Sequence, residues 1–140
     1  MKGCYKMAKH TTYIMSEDAR AQAEFYIHAL GGEILSIMTH GQLPEAKEEI
    51  KDKVVNLSLM AGGINFLMSD SVFEPIIQGN AINLCLEFPT EAEAREAFDK
   101  LAEGGKVKCP LEPAFWGALY GHIVDKYGVM WMITTEGATV

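Results

Sequence analysis

The strongest constraint on this chain is that it can be laid over itself. The segments EDARAQAEFYIHALGGEI (17–34) and EAEAREAFDKLAEGGKV (91–107) match at a single offset of 73: Phe25 with Phe98, Ala21 with Ala94, Gly31 with Gly104, Gly32 with Gly105 and Ile34 with Val107. Helices of similar composition often share alanines. A Gly-Gly pair held in the same register is harder to obtain by chance, and it points to one supersecondary unit used twice.

Each matched segment reads as a helix. Ser16 is placed to cap the first, with Glu17 and Asp18 set against the positive end of the helix dipole. In the second, Thr90 and Glu93 have capping-box spacing, and Ala94, Ala97, Phe98 and Leu101 form an apolar stripe at i, i+3, i+4, i+7. Both helices run into Gly-Gly, where a left-handed residue can end a helix without steric cost.

Strand-like runs flank the helices. HTTYIM (10–15) precedes the first, and EILSIMTH (33–40), VVNLSLM (54–60) and INFLMS (64–69) follow it. INLCLEF (82–88) precedes the second, and KVKCPLE (106–112), LYGHIVD (119–125) and VMWMITT (129–135) follow it. The expected order is therefore β-α-β-β-β, twice, in the α+β class with curved mixed sheets. GQLPEAKEEIKDK (41–53) is a charged excursion inside the first unit. A chain of 140 residues fits one domain holding both modules, about 8–72 and about 80–136.

The two βαβββ units, the helix ending FY…LGGEI, the GGxxFLMSD segment and the closing D-x-x-G-V-x-W hairpin together resemble the vicinal oxygen chelate (glyoxalase/bleomycin resistance/dioxygenase) superfamily. Within it they are most similar to the PhnB-like branch, which includes proteins catalogued as 3-demethylubiquinone 3-methyltransferase-like. The resemblance covers nearly the whole chain. It implies that each unit curls its sheet around a cavity, in a superfamily that spans metal-dependent lyases, dioxygenases, thiol transferases and antibiotic-sequestering proteins.

Strand alternation sorts the residues between core and cavity. Ile82, Leu84 and Leu86 are expected beneath a helix, which turns Asn83, Cys85 and Glu87 into the cavity. The offset of 73 carries that face back to His10, Thr12 and Ile14 on the first strand. Val55, Leu57 and Leu59 point under the helices, leaving Asn56, Ser58 and Met60 on the cavity side. Aligning the closing strands at Gly63 and Gly128 pairs Phe66 with Trp131 as core anchors, and Asn65, Leu67 and Ser69 with Met130, Met132 and Thr134 as cavity wall. Counting back across the DKYG turn sets Ile123 beside Met130 and His122 beside Trp131, on the core side, although a bulge would reverse it. His122 is kept as a pocket candidate with its orientation open.

The resemblance also implies where a metal would sit, on the first and last strand of each unit. The matching positions are His10, Leu67, Asn83 and Met132, with a latitude of one residue on the first strand. Only His10 is a good ligand for a divalent ion; leucine offers nothing, asparagine is weak, and a thioether suits soft ions such as Cu(I). A rearranged set of His10, Glu87 and His122 is the alternative, with Cys85 as a further donor. No cofactor is expected, and the eight methionines, scattered over strands, read as fillers of core and pocket. His28, late in a helix, suits the dipole there, and His40 ends a strand at the surface.

EPAFWGALYG (112–121) sets Phe115, Trp116 and Tyr120 beside the expected cavity, either as an aromatic lid over a ligand or as packing at a dimer interface. Glycine-rich turns of the kind that hold S-adenosylmethionine do not fit, because the Gly-Gly pairs end helices. Nucleic acid is an unsuitable partner for a net charge of −7 without a basic stripe. No run approaches the length of a membrane span or a signal peptide. Three cysteines without CxxC spacing fit a reducing cytoplasm. The expected function is a metal-free protein that binds or sequesters an unidentified small molecule as a homodimer, through His10, Thr12, Asn56, Ser58, Asn83, Cys85, Glu87, Trp116, Tyr120, His122, Met130 and Met132. The alternative is a metal-dependent lyase, transferase or dioxygenase.

Overall fold

The structure is a computed structural model and describes residues 5–137. Its first unit consists of β1 (Thr12–Ser16), α1 (Ala19–Leu30), β2 (Gly32–Thr39), β3 (Val54–Ala61) and β4 (Ile64–Asp70). The second consists of β5 (Leu84–Phe88), α2 (Glu91–Ala102), β6 (Lys106–Pro113), β7 (Leu119–Val124) and β8 (Met130–Thr135). Each unit forms a four-stranded sheet, in the orders β1-β4-β3-β2 and β5-β8-β7-β6. The first strand of each unit runs parallel to its last, and the remaining pairs are antiparallel. The sheets do not close into a barrel. Cys4 lies outside the described residues, and no helix of the described residues is long and apolar enough to cross a membrane.

The two units share one topology, but they align in two registers. The strand and helix that open each unit superpose at an offset of 72: Thr12–Ser16 on Leu84–Phe88, and Ala19–Leu30 on Glu91–Ala102. At that offset the buried residues Gln22, Phe25, Tyr26 and Ala29 of α1 fall on Ala94, Ala97, Phe98 and Leu101 of α2, all buried. Tyr26, not Phe25, is thus the partner of Phe98. The glycines do keep 73, because Glu103 is an extra residue between α2 and its Gly-Gly pair.

Steric necessity explains why those glycines persist. Gly31 and Gly104 have φ of 79° and 74°, ending their helices in the left-handed region. A Cβ on Gly32 or Gly105 would collide with the carbonyl of Met60 or Val124 on the neighbouring strand.

Capping differs from expectation in α1. Asp18 is the N-cap, its carboxylate accepting from the Ala21 N–H at 3.1 Å. The hydroxyl of Ser16 instead accepts from the Asp18 N–H and donates to Gln22. Thr90 caps α2, accepting from the Glu93 N–H at 3.2 Å.

One apolar cluster serves both units. Tyr26, Leu57, Leu59, Phe66 and Met68 of the first share it with Phe98, Ile123, Trp131 and Ile133 of the second. Trp131 packs edge-on against both Tyr26, centroids 5.2 Å apart, and Phe66, at 6.1 Å. The expected match of Phe66 to Trp131 therefore holds. It extends to the strand ends, where Asp70 accepts from the Val54 N–H and Thr135 from the Leu119 N–H, a pair of anchors again 65 residues apart. A register shift between Met38 and Thr39 buries Val54 rather than Val55 at the start of β3.

Candidate functional site

Opposite the shared core, each sheet presents an open face whose residues read off as rows across the strands. In the first sheet, Tyr13, Leu67, Ser58 and Ser36 are successive partners, and Met15 pairs with Ser69 in the next row. In the second, Cys85, Met132, His122 and Cys109 make one row, and Glu87, Thr134, Tyr120 and Glu112 the next.

The offset of 72 corrects the first strand by one residue. Tyr13 and Met15, 46% and 47% exposed, occupy the open face, whereas Ile14 is in the core. Thr12 flanks a cleft of about 370 Å³ at the junction of the units, lined also by Ile14, Gln78, Ile82, Leu84 and Met130. His10 precedes β1 and is exposed. Met130 shares the side of Met132 and Thr134 on β8 but is buried, and it lines the cleft. Ile82, expected beneath a helix, is instead exposed, because β5 begins only at Leu84 and Ile82 belongs to the connection between the units; Gln78 of the same connection carries no signal of periodicity.

His122 lies on the open face. It pairs with Met132, and Ile123 pairs with Trp131, one residue away from the count made across the turn. The cause is Asp125, whose Oδ1 accepts from the N–H groups of Tyr127 and Val129 at 2.8 and 3.1 Å. Val129 is thereby drawn into the turn, and Val124 pairs with Met130 instead. Burial, reinforced by the positive charge of Lys108, holds the His122 imidazole below the usual histidine range. Its Nε2 is buried without a partner, as is Oδ1 of Asn83, the residue before β5. Buried polar atoms left in that state mark places where a further group would be accommodated. Cys85 is an exposed free thiol whose pKa is raised by partial burial and by the charge of Glu87.

In the first sheet, Asn56 and Ser58 lie half-buried on β3, and Asn65 donates to Ser58 Oγ at 3.0 Å. Trp116, in the loop between β6 and β7, stands 5.9 Å from Tyr120 and 4.8 Å from Phe115, which is 98% exposed. These rings form a ladder that starts at Tyr120, within the Glu87–Glu112 row. His28 is exposed on α1, while His40 is half-buried against Phe73, ring centroids 5.9 Å apart.

The donor set does not fit a hard divalent ion. Among the described residues no three His, Cys, Asp or Glu side chains converge in a way that would hold one, and His10, Glu87 and His122 are not gathered into such a group. Lewis-acid chemistry of the kind found in metal-using relatives needs that convergence.

Comparison with known proteins agrees with this architecture. The family model described as Glyoxalase/Bleomycin resistance protein/Dioxygenase superfamily matches residues 8–133. The crystal structure of PA1353 from Pseudomonas aeruginosa is 31% identical, covering 93% of this chain and 98% of that one, with a TM-score of 0.81. A structure titled putative 3-demethylubiquinone-9 3-methyltransferase, PhnB protein, from Bacillus cereus is 30% identical over 92% of this chain and 100% of that one, with a TM-score of 0.77. Protein YjdN of Escherichia coli (strain K12) is 25% identical over 120 residues, 78% of this chain and 82% of that protein.

Proposed function

The chain belongs to the Glyoxalase/Bleomycin resistance protein/Dioxygenase superfamily, and on that premise we propose that it is a PhnB-like protein that binds or sequesters a small organic molecule without a hard divalent metal. One observation carries this reading. The open faces display Tyr13, Met15, Asn56, Ser58, Met132 and Tyr120, a mixture of apolar surface and neutral hydrogen-bonding groups, in place of converging hard donors. Such a lining suits a partly apolar ligand fixed by a few polar contacts.

The working form is a homodimer in a reducing cytoplasm. Half-exposed Leu35, Ile37 and Met38 on the edge strand β2 leave apolar surface that a second copy would cover, and the free thiols of Cys85 and Cys109 suit that compartment. A methyl-transfer role, suggested by the name of the Bacillus cereus protein, has less support. Gly32 and Gly105 are engaged against neighbouring carbonyls and the sheets are largely antiparallel, so no glycine-rich cofactor turn follows a parallel strand.

The alternative, a metal-dependent lyase, transferase or dioxygenase using His10, Glu87 and His122, draws on a single favourable observation, the turn of His122 toward the open face. Elemental analysis of protein purified without chelator separates the two. Substoichiometric zinc, nickel, iron and manganese, with saturable binding of a flat or partly apolar compound, is the expected outcome. Stoichiometric divalent metal that is lost on His10→Ala or Glu87→Ala would overturn the proposal in favour of the enzyme.

A further inference from the structure

The reversal of His122 gathers residues that are scattered in the sequence. Cys85, Met132 and His122 occupy adjacent positions on β5, β8 and β7, all on the open face, with Cys109 beyond them on β6. The two pairings that join Cys85 to His122 contain no register shift, whereas β6 is irregular on both sides of Cys109. We propose that Cys85, Met132 and His122 form a binding site for one soft monovalent cation of the copper(I) type.

Three arguments support it. First, strands lie about 4.8 Å apart, which puts the Cα atoms of Cys85 and His122 about 10 Å from each other across Met132. A short thiol and a long imidazole reaching inward over a thioether leave room for a single ion between them. Second, the donors are two sulfurs and one nitrogen, a set that favours Cu(I) or Ag(I) over magnesium or manganese, and the Met132 thioether, a poor ligand for zinc, sets it apart from an ordinary zinc site. The absence of any converging group of three His, Cys, Asp or Glu among the described residues is consistent with this, because the third donor is a methionine. Third, Nε2 of His122 is buried and has no hydrogen-bond partner, so in the tautomer protonated at Nδ1 it offers an unengaged lone pair to a Lewis acid. On binding, the Cys85 thiol exchanges its proton for the ion and releases that proton to solvent. The neutral imidazole and the thioether lose nothing, and no electron is transferred.

The test uses the full chain carrying Cys4→Ser, with Ag(I) as a redox-inert probe. Expected are one tightly bound equivalent, about one proton released per ion, and a shift of the His122 imidazole nitrogen and Met132 methyl resonances. Met132→Leu, His122→Gln and Cys85→Ser should each weaken binding roughly tenfold or more, whereas Cys109→Ser should not. Binding that survives Met132→Leu and His122→Gln, an unshifted His122 resonance on loading, or dependence on Cys109 in place of Cys85 would each overturn the assignment. Met132→Leu preserves shape, and far-ultraviolet dichroism of every variant separates loss of the site from loss of the fold. The readout is silver binding rather than affinity for an organic ligand, so its failure leaves the proposed function standing, and the reverse also holds.

Discussion

The hydroxyl of Tyr26 donates to Oδ2 of Asp125 at 2.6 Å, linking the helix of the first unit to the closing turn of the second. The same carboxylate oxygen accepts from Trp131 Nε1 at 2.8 Å, and Gln22 donates to the Tyr26 oxygen at 2.8 Å. Asp125 is 3% exposed and Tyr26 fully buried, so each donor there depends on its acceptor. Burial and the adjacent carboxylate push the Tyr26 phenol far above its ordinary pKa, which keeps it a donor.

Asp125→Ala should therefore cost about 3 kcal/mol or more of stability, because two side-chain donors and the turn N–H groups lose their acceptor together. Tyr26→Phe should cost about 1–2 kcal/mol, since it removes only one of those donors while keeping the ring. Urea denaturation of the two variants beside the parent checks both values. A loss in Asp125→Ala no greater than in Tyr26→Phe would contradict the hub.

Gly121 makes a second prediction. A Cβ there would lie 2.5 Å from Cε2 of Phe98 and 3.0 Å from Cα of Leu111, the latter being backbone that cannot swing away. Gly121→Ala should destabilise by about 1–3 kcal/mol as an overpacking change. The double variant Gly121→Ala/Phe98→Leu should recover part of that loss in the same assay.

His122 should titrate below the ordinary histidine range when followed by its ring-proton resonances. Lys108→Ala should raise the midpoint by removing the smaller of its two causes. A folded-state pKa depressed below the unfolded value means the neutral ring favours the fold. That contribution is complete above the unfolded pKa and is lost as pH falls through the folded one. Stability should thus decline on acidification through this window, and His122→Gln should flatten that part of the profile.

Trp116→Ala should weaken binding of any organic ligand found, by removing the middle ring of the Phe115–Trp116–Tyr120 ladder. Unchanged affinity in a fluorescence or calorimetric titration would exclude the lid and leave the aromatics to interface packing.

Sedimentation at micromolar concentration should give a dimer, and Met38→Glu, which sets a charge on the half-exposed edge strand β2, should shift it toward monomer. A parent that sediments as a monomer would refute the dimer.

The reach of sequence reasoning here follows from which interactions are local. Leu57 and Leu59 against Ser58 and Met60, and the Ala94–Ala97–Phe98–Leu101 stripe, are periodic within one element and read directly. The first strand was displaced by one because the Gly-Gly pairs set the alignment, and nothing in the residues announces that Glu103 is extra. The direction of His122 stays open in the sequence because it depends on how Asp125 gathers N–H groups in a turn, a tertiary matter also involving Tyr26, 99 residues away. Cys85, Met132 and His122 are each legible as pocket candidates, but their adjacency in one row is not, since they lie on three strands and share no period.

The wedge of Trp131 between Tyr26 and Phe66 has a consequence for how the molecule comes apart. Severing the chain between Asp70 and Leu84 would strip each half of aromatic partners supplied by the other, exposing surface that neither could hide alone. The halves should melt as one cooperative block with superimposable transitions, and amide exchange in β4 and β8 should report a common opening free energy.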